Sequence, residues 1–332
     1  MNTPHKNRIV KIIVWIVGVI ILIATLLVVA AFFWPATSKQ LQSSNSEKLN
    51  YNQSVAAAIR TINGDSSNTD VRPECRSIIK THGQKTAKAV LMIHGVSACP
   101  QQFAELGDTF FKAGYNVYIP RVPSHGLTDN KRHGEITIPA MAQFMNSGTS
   151  IISGLGEETG VIGLSGGANM ATWIAQYNSA TISRALLLSP FYQPSASEMP
   201  AWQSPLLRNL YGRDILPDSF SAGSNLSYRA LGKYMIIAKN YKSDFKAPGL
   251  KHIGVVTSEN DTVIDMRLAN NIPKQIATAS NAKFQSYSIP ASFGIGHDIV
   301  ALSQDEIKKH VNKLYPFYLE MYEGKDVKLE SN

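Results

Sequence analysis

Residues 163–167 read Gly163-Leu164-Ser165-Gly166-Gly167. An apolar run, 161–164, precedes the serine, and a helix-like run, Ala168-Asn169-Met170-Ala171-Thr172-Trp173, follows it. The pentapeptide alone is a weak signal; a strand before it and a helix after it make it much stronger. A sharp turn in that setting strains the serine backbone and aims its hydroxyl away from the sheet. Glycines at 163 and 167 leave room for a Cβ-free strand–turn–helix contact. A serine hydroxyl is a poor nucleophile at neutral pH, so it needs a base, and the base needs an orienting acid. The candidate base is His297, in the Gly-rich loop Phe293-Gly294-Ile295-Gly296-His297-Asp298. The candidate acid is Asp261, in Ser258-Glu259-Asn260-Asp261-Thr262-Val263, with Glu259 and Asp265 as alternatives in the same loop. Acyl transfer also builds charge on a carbonyl oxygen, which two preorganised N–H donors must meet. Gly166, just after the serine, offers one amide, and Val96 in His94-Gly95-Val96-Ser97 offers the other. His94 is then expected to support that loop rather than transfer protons. His82, His252 and His310 fall outside the pattern and are expected at the surface.

These residues need a scaffold that brings distant loops together. Short apolar runs at 89–93, 115–119, 161–164, 185–188, 253–256 and 284–289 carry β-branched or aromatic residues and end in turn signals. Helical stretches lie between them at 101–113, 138–154, 168–177, 266–276 and 304–322. Alternation of this kind predicts a mostly parallel sheet with helices on both faces. Sites in such sheets gather at the carboxyl ends of strands, which is where Val96, Ser165, Asp261 and His297 fall. The stretch 191–247 interrupts the alternation. It holds Trp202, Leu206, Leu207, Leu210, Tyr211, Tyr228, Leu231 and Tyr234 and reads as a helical cap over the site. Trp202 and Tyr234 are expected to wall an acyl pocket beneath it.

The chain has 332 residues, 44% of them apolar and 17% charged, which suits one large α/β domain and excludes global disorder. The net charge is +8, part of it in Lys6, Arg8 and Lys11, and no dense basic cluster follows. Nucleic acid is therefore not an expected partner. Residues 12–34 form an apolar run of roughly 34 Å as a helix, long enough to cross a bilayer, with Trp15 and Trp34 near its ends. A signal peptide has a shorter apolar core, so an uncleaved anchor is the reading taken. The basic flank, 1–11, then stays in the cytoplasm and the domain lies outside, periplasmic or extracellular. Residues 35–72 read as a stalk or linker, with a short helix possible near 48–63. The hydrolytic domain is expected over 73–322, with 323–332 as a tail. Cys75 and Cys99 are an even pair in an exported domain and permit one disulfide, which would contribute about 3 kcal/mol. The alternative is two buried thiols. His94, His125 and His133 lack close ligand spacing, and no phosphate-cradling Gly-Lys-Ser/Thr loop exists, so neither metal nor cofactor is expected.

Together Leu91-Met92-Ile93-His94-Gly95, Gly163–Gly167, Asp261 and His297 resemble the α/β-hydrolase superfamily. Pro120-Arg121-Val122-Pro123-Ser124-His125-Gly126 and Cys99-Pro100-Gln101-Gln102-Phe103 are similar to tracts of bacterial carboxylesterases and monoacylglycerol-lipase-like members. The resemblance covers about residues 73–320. It implies the α/β-hydrolase fold with eight strands, no cofactor, and a small-molecule or lipid ester as substrate. Many members carry a bulky aromatic after His-Gly, where this chain has Val96, which implies a roomier acyl pocket. The function expected is ester hydrolysis through an acyl-enzyme on Ser165. Peptide or thioester hydrolysis and acyl transfer use the same groups, and a tethered binding protein on an inactive scaffold is the reading from a different class.

Overall fold

The computed structural model describes residues 4–220 and 226–329. Part of the expected cap, 221–225, and the end of the tail, 330–332, lie outside the described residues. The chain opens on helix α1 (Pro4–Phe33), followed by α2 (Tyr51–Ser67). Strand β1 (Ile78–Lys80), missed in the sequence because three half-buried residues carry little pattern, leads to β2 (Thr86–Ile93). Then come α3 (Ala104–Lys112), β3 (Tyr115–Ile119), α4 (Ile138–Ser153) and β4 (Gly156–Leu164). Helix α5 (Gly166–Tyr177) and β5 (Ile182–Leu188) precede the insertion. The insertion holds α6 (Ser204–Leu206), which runs into a π-helical turn (Leu207–Tyr211), and α7 (Tyr228–Ala238). The alternation resumes with β6 (His252–Ser258), α8 (Met266–Ala279), β7 (Lys283–Ile289) and α9 (Asp305–Tyr322).

The strands form one sheet in the order β1-β3-β2-β4-β5-β6-β7. Only β1 pairs antiparallel; every other pairing is parallel. The implied eighth strand is not found: seven are present among the described residues. Period-two geometry splits each central strand between two cores. Ala89, Leu91, Ile93, Val161, Ala185 and Leu187 face α4 and α5, while Val90, Met92, Ile162, Leu164, Leu186 and Leu188 face α3 and α9. Burial on both faces explains the near-continuous apolar strands.

Residues 35–50, expected as part of a stalk, instead lie against the domain. Leu41 is fully buried and its carbonyl accepts the Trp173 indole N–H at 3.0 Å. Asn240 ties down Ala36, Ser38 and Gln42 through its two amide atoms. Serine-rich composition had signalled a solvated linker, but these hydroxyls and backbone groups find partners across the fold, as with Ser46 and Asn178 at 2.6 Å. Helix α2 is capped by Asn50 and Gln53 in a reciprocal capping box. Its Asp65 is buried and bonds both Ser77 and the Arg121 guanidinium, at 2.7 Å for Nη2. Helix α1 is long and apolar enough to span a membrane over Arg8–Phe33.

Candidate active site

Four loops leave the carboxyl ends of β2, β4, β6 and β7 and converge. After β4, Ser165 sits at φ 55° and ψ −118°, an uncommon backbone state for a residue with a Cβ. The turn holds because its neighbours over-determine it. The Ser165 N–H donates to Leu188 O at 2.9 Å, and its carbonyl accepts from Asn169 and Phe191. The flanking glycines answer to close backbone approach. A Cβ on Gly163 would lie 2.3 Å from Gly167 O, and one on Gly167 would lie 2.1 Å from Ile93 O. Neither position admits a side chain without moving β2 or α5.

His297, after β7, places Nε2 2.8 Å from Ser165 Oγ and Nδ1 2.8 Å from Asp261 Oδ2. The Asp261 side chain is fully buried, and its second oxygen accepts the Val263 N–H at 2.9 Å. A buried carboxylate that only accepts puts the proton on Nδ1 and leaves Nε2 free to take one from the serine. The alternative acids are engaged elsewhere. Glu259 accepts from the Ala291 N–H, and Asp265 caps α8 through the Leu268 N–H.

The loop after β2 crosses directly over Ser165. A Cβ on Gly95 would touch the Ser165 Cβ at 3.7 Å, and one on Gly166 would meet Val96 Cγ2 at 2.5 Å. Val96 and Gly166 are therefore side by side. The Gly166 amide stands at the first position of α5, where a helix has no carbonyl for it. His94 is fully buried and uses both ring nitrogens: Nδ1 bonds Gly95 O at 2.9 Å and Nε2 accepts the Val122 N–H at 3.0 Å. It joins the 94–97 loop to the 120–126 loop.

His94, His125 and His133 line up, with ring centroids 5.6 and 5.8 Å apart. Sequence spacing hid this row because its members come from three loops. His133 Nε2 accepts from the Ser227 N–H at the start of α7, so the row runs from the 94–97 loop to the cap. Burial holds His94 down at about 4 and lowers His125 and His133 as well. In the unfolded chain an imidazole titrates near 6.5. The unfolded state thus binds more protons below that pH, and the contribution to stability is complete above about 6.5 and lost as pH falls toward 4. The melting temperature is expected to drop across that window. A flat profile between pH 7 and 4.5 would contradict the buried, neutral row.

Other placements differ from expectation. His252 is not at the surface; it is buried in β6, against Gln285 at 2.8 Å. Trp202 is 61% exposed and lies away from the cavity, and Tyr234 is buried beneath Gly166 rather than in the cavity wall. The cavity beside Ser165 and His297 has a volume of about 440 Å³ and is walled by Phe191, Pro194, Met199, Tyr228, Leu231 and Val263, with Glu198 at its edge. Gln102 was missed in the sequence as a site residue. Its Oε1 accepts the Gly95 N–H at 2.8 Å and its Nε2 donates to Asp298 at 2.9 Å, so one amide spans the 94–97 loop and the His297 loop. Cys75 and Cys99 form a disulfide, Cα–Cα 5.1 Å, that fixes the chain just before Gln102.

Residues 84–213 match a family model described as serine aminopeptidase, S33. A search of curated proteins finds no sequence match. Among solved structures, the chain is similar to one reported for the metagenome-derived lipolytic enzymes LipS and LipT (TM-score 0.55, 16% identity, 75% of this chain and 99% of that one). It is also similar to a monoglyceride lipase from Saccharomyces cerevisiae (TM-score 0.55, 15% identity, 76% and 92%) and a monoacylglycerol lipase from Paleococcus ferrophilus (0.54, 16%, 74% and 99%). The mostly parallel sheet and these likenesses agree: the chain has the α/β-hydrolase fold.

Proposed function

We propose that the protein is a serine esterase anchored in a membrane by α1. The observation that carries the reading is the continuous contact from Ser165 Oγ through His297 to buried Asp261, each step 2.8 Å. His297 takes the hydroxyl proton as Ser165 attacks the ester carbonyl, and returns it to the departing alcohol. The amides of Val96 and Gly166 meet the oxyanion. Water then cleaves the acyl-enzyme by the same route. The apolar walls of the cavity favour an acyl chain over a charged one. The basic residues Lys6, Arg8 and Lys11 favour a cytoplasmic N-terminus and a domain on the other side. Labelling with a fluorophosphonate, followed by mapping of the adduct, tests the reading; an adduct away from Ser165 overturns it. Amide hydrolysis is a second reading, favoured by Glu198 at the cavity edge, whose carboxylate would attract a substrate ammonium. A panel of aminoacyl amides beside nitrophenyl esters separates the two.

The cavity also sets an acyl-length expectation. Each buried CH₂ contributes about 0.8 kcal/mol, so lengthening an acetyl to a butyryl ester should raise kcat/KM roughly tenfold. The rise should stop once the cavity is full. Leu231→Trp on α7 should move that limit to shorter chains, because Leu231 lines the wall and is almost fully buried. A length profile unchanged by Leu231→Trp would remove α7 from the acyl site.

A further inference from the structure

Helix α1 does not end in a free tether. The carbonyls of Ala31 and Trp34 both accept from the Asn209 side-chain amide, at 2.7 and 3.2 Å, and Asn209 is fully buried. Arg213 donates to Pro35 O and lies 4.8 Å over the Trp34 ring. Asn209 and Arg213 belong to the cap, so the membrane-side end of α1 is bolted to the cap and not to the sheet.

The surface around that joint has a distinctive make-up. Outside α1 and Trp34, the exposed large apolar side chains among the described residues are Ile59, Trp202 and Ile215. Two of these, Trp202 at 61% and Ile215 at 50%, flank the α6–π turn that touches α1. Arg208, Arg213 and Lys239 cluster there as well; mutual repulsion adds to burial in lowering Arg208 and Lys239. No carboxylate lies within ion-pairing distance of these three among the described residues, and neighbouring Asp214 is engaged with Lys233 and Arg229. Cations without a carboxylate partner among the described residues, beside an exposed Trp and Ile, suit a boundary between lipid phosphates and acyl chains.

We propose that cap residues 201–215, together with Lys239, seat on the bilayer leaflet at the Trp34 end of α1, with Arg208, Arg213 and Lys239 against anionic lipid headgroups and Trp202 and Ile215 in the interface. This rests on the anchor reading and extends it: the anchor positions the cap as well as retaining the domain. Met199, in the cavity wall, is three residues before Trp202. An ester dissolved in the bilayer would therefore meet the cavity edge close to the lipid interface.

The test uses the full chain in vesicles of phosphatidylcholine with about a third phosphatidylglycerol. A photoreactive benzoylphenylalanine is placed at position 202, 215 or 59, the last on α2 as the comparison site. Lipid adducts are expected at 202 and 215, with little at 59. Arg208→Gln with Arg213→Gln should lower the yield at 202 by about tenfold, and Arg208→Lys with Arg213→Lys should restore it. Melting of the double variants reports whether the joint itself is lost. Equal yields at 202 and 59, in a chain that stays with the vesicles through an alkaline carbonate wash, would overturn the seating and leave the anchor standing. Release in the wash would overturn both. Fluorophosphonate labelling needs no bilayer and reports on the esterase reading separately.

Discussion

Ser165→Ala is expected to lower ester turnover by roughly five to six orders of magnitude, because nucleophile, base and acid act as a unit. The fold should survive. Alanine keeps the Cβ that already occupies the φ 55° position, and the backbone bonds to Leu188, Asn169 and Phe191 do not involve the hydroxyl. The residual rate would come from the Val96 and Gly166 amides and from binding in the cavity. Purified variant and parent should melt together, and only the parent should take up a fluorophosphonate. Retained turnover, with probe on another serine, would assign the nucleophile elsewhere.

Asp261→Asn is expected to cost about 10⁴-fold in kcat with little effect on folding. The physical reason is tautomer choice. Asp261 accepts from both the Val263 N–H and His297 Nδ1. An asparagine can keep its oxygen on Val263 and must then turn its NH₂ toward Nδ1. That selects the imidazole with hydrogen on Nε2, which faces the Ser165 hydroxyl with a donor and cannot take its proton. Glu259→Gln should be nearly silent for chemistry, since the Glu259 carboxylate accepts from the exposed Ala291 amide, away from His297. The reverse pattern, Asp261→Asn harmless and Glu259→Gln severe, would move the acid role to Glu259.

The elements that carry these residues were legible because their signals are local. A buried parallel strand must be apolar along its length, so 89–93, 115–119 and 253–256 announced themselves. The turn around Ser165 is also local: its glycines are required by backbone atoms only a few residues away or on the adjacent strand. The choice of Asp261 over Glu259 and Asp265 was not local. All three sit on one loop, and only the position of His297, delivered by β7, separates them. Gln102 gave no signal beyond its place after Cys99, because it acts by reaching Asp298, 196 residues away in the chain.

By itself, then, the sequence determined which residue types could perform acyl transfer and which strands would carry them, since burial and turn geometry act over short stretches. Tertiary structure decided the partners. It drew a polar, serine-rich segment onto the domain through Asn146, Asn178 and Asn240, because scattered polar groups find hydrogen bonds that composition cannot foresee. It aligned His94, His125 and His133 from three separate loops. It turned Trp202 outward and left the cavity wall to Met199, Tyr228 and Leu231. An aromatic in a cap can face the site or the surroundings equally well by type. Which way it faces depends on how the cap docks, and here the cap docks on the end of α1 as well as on α5.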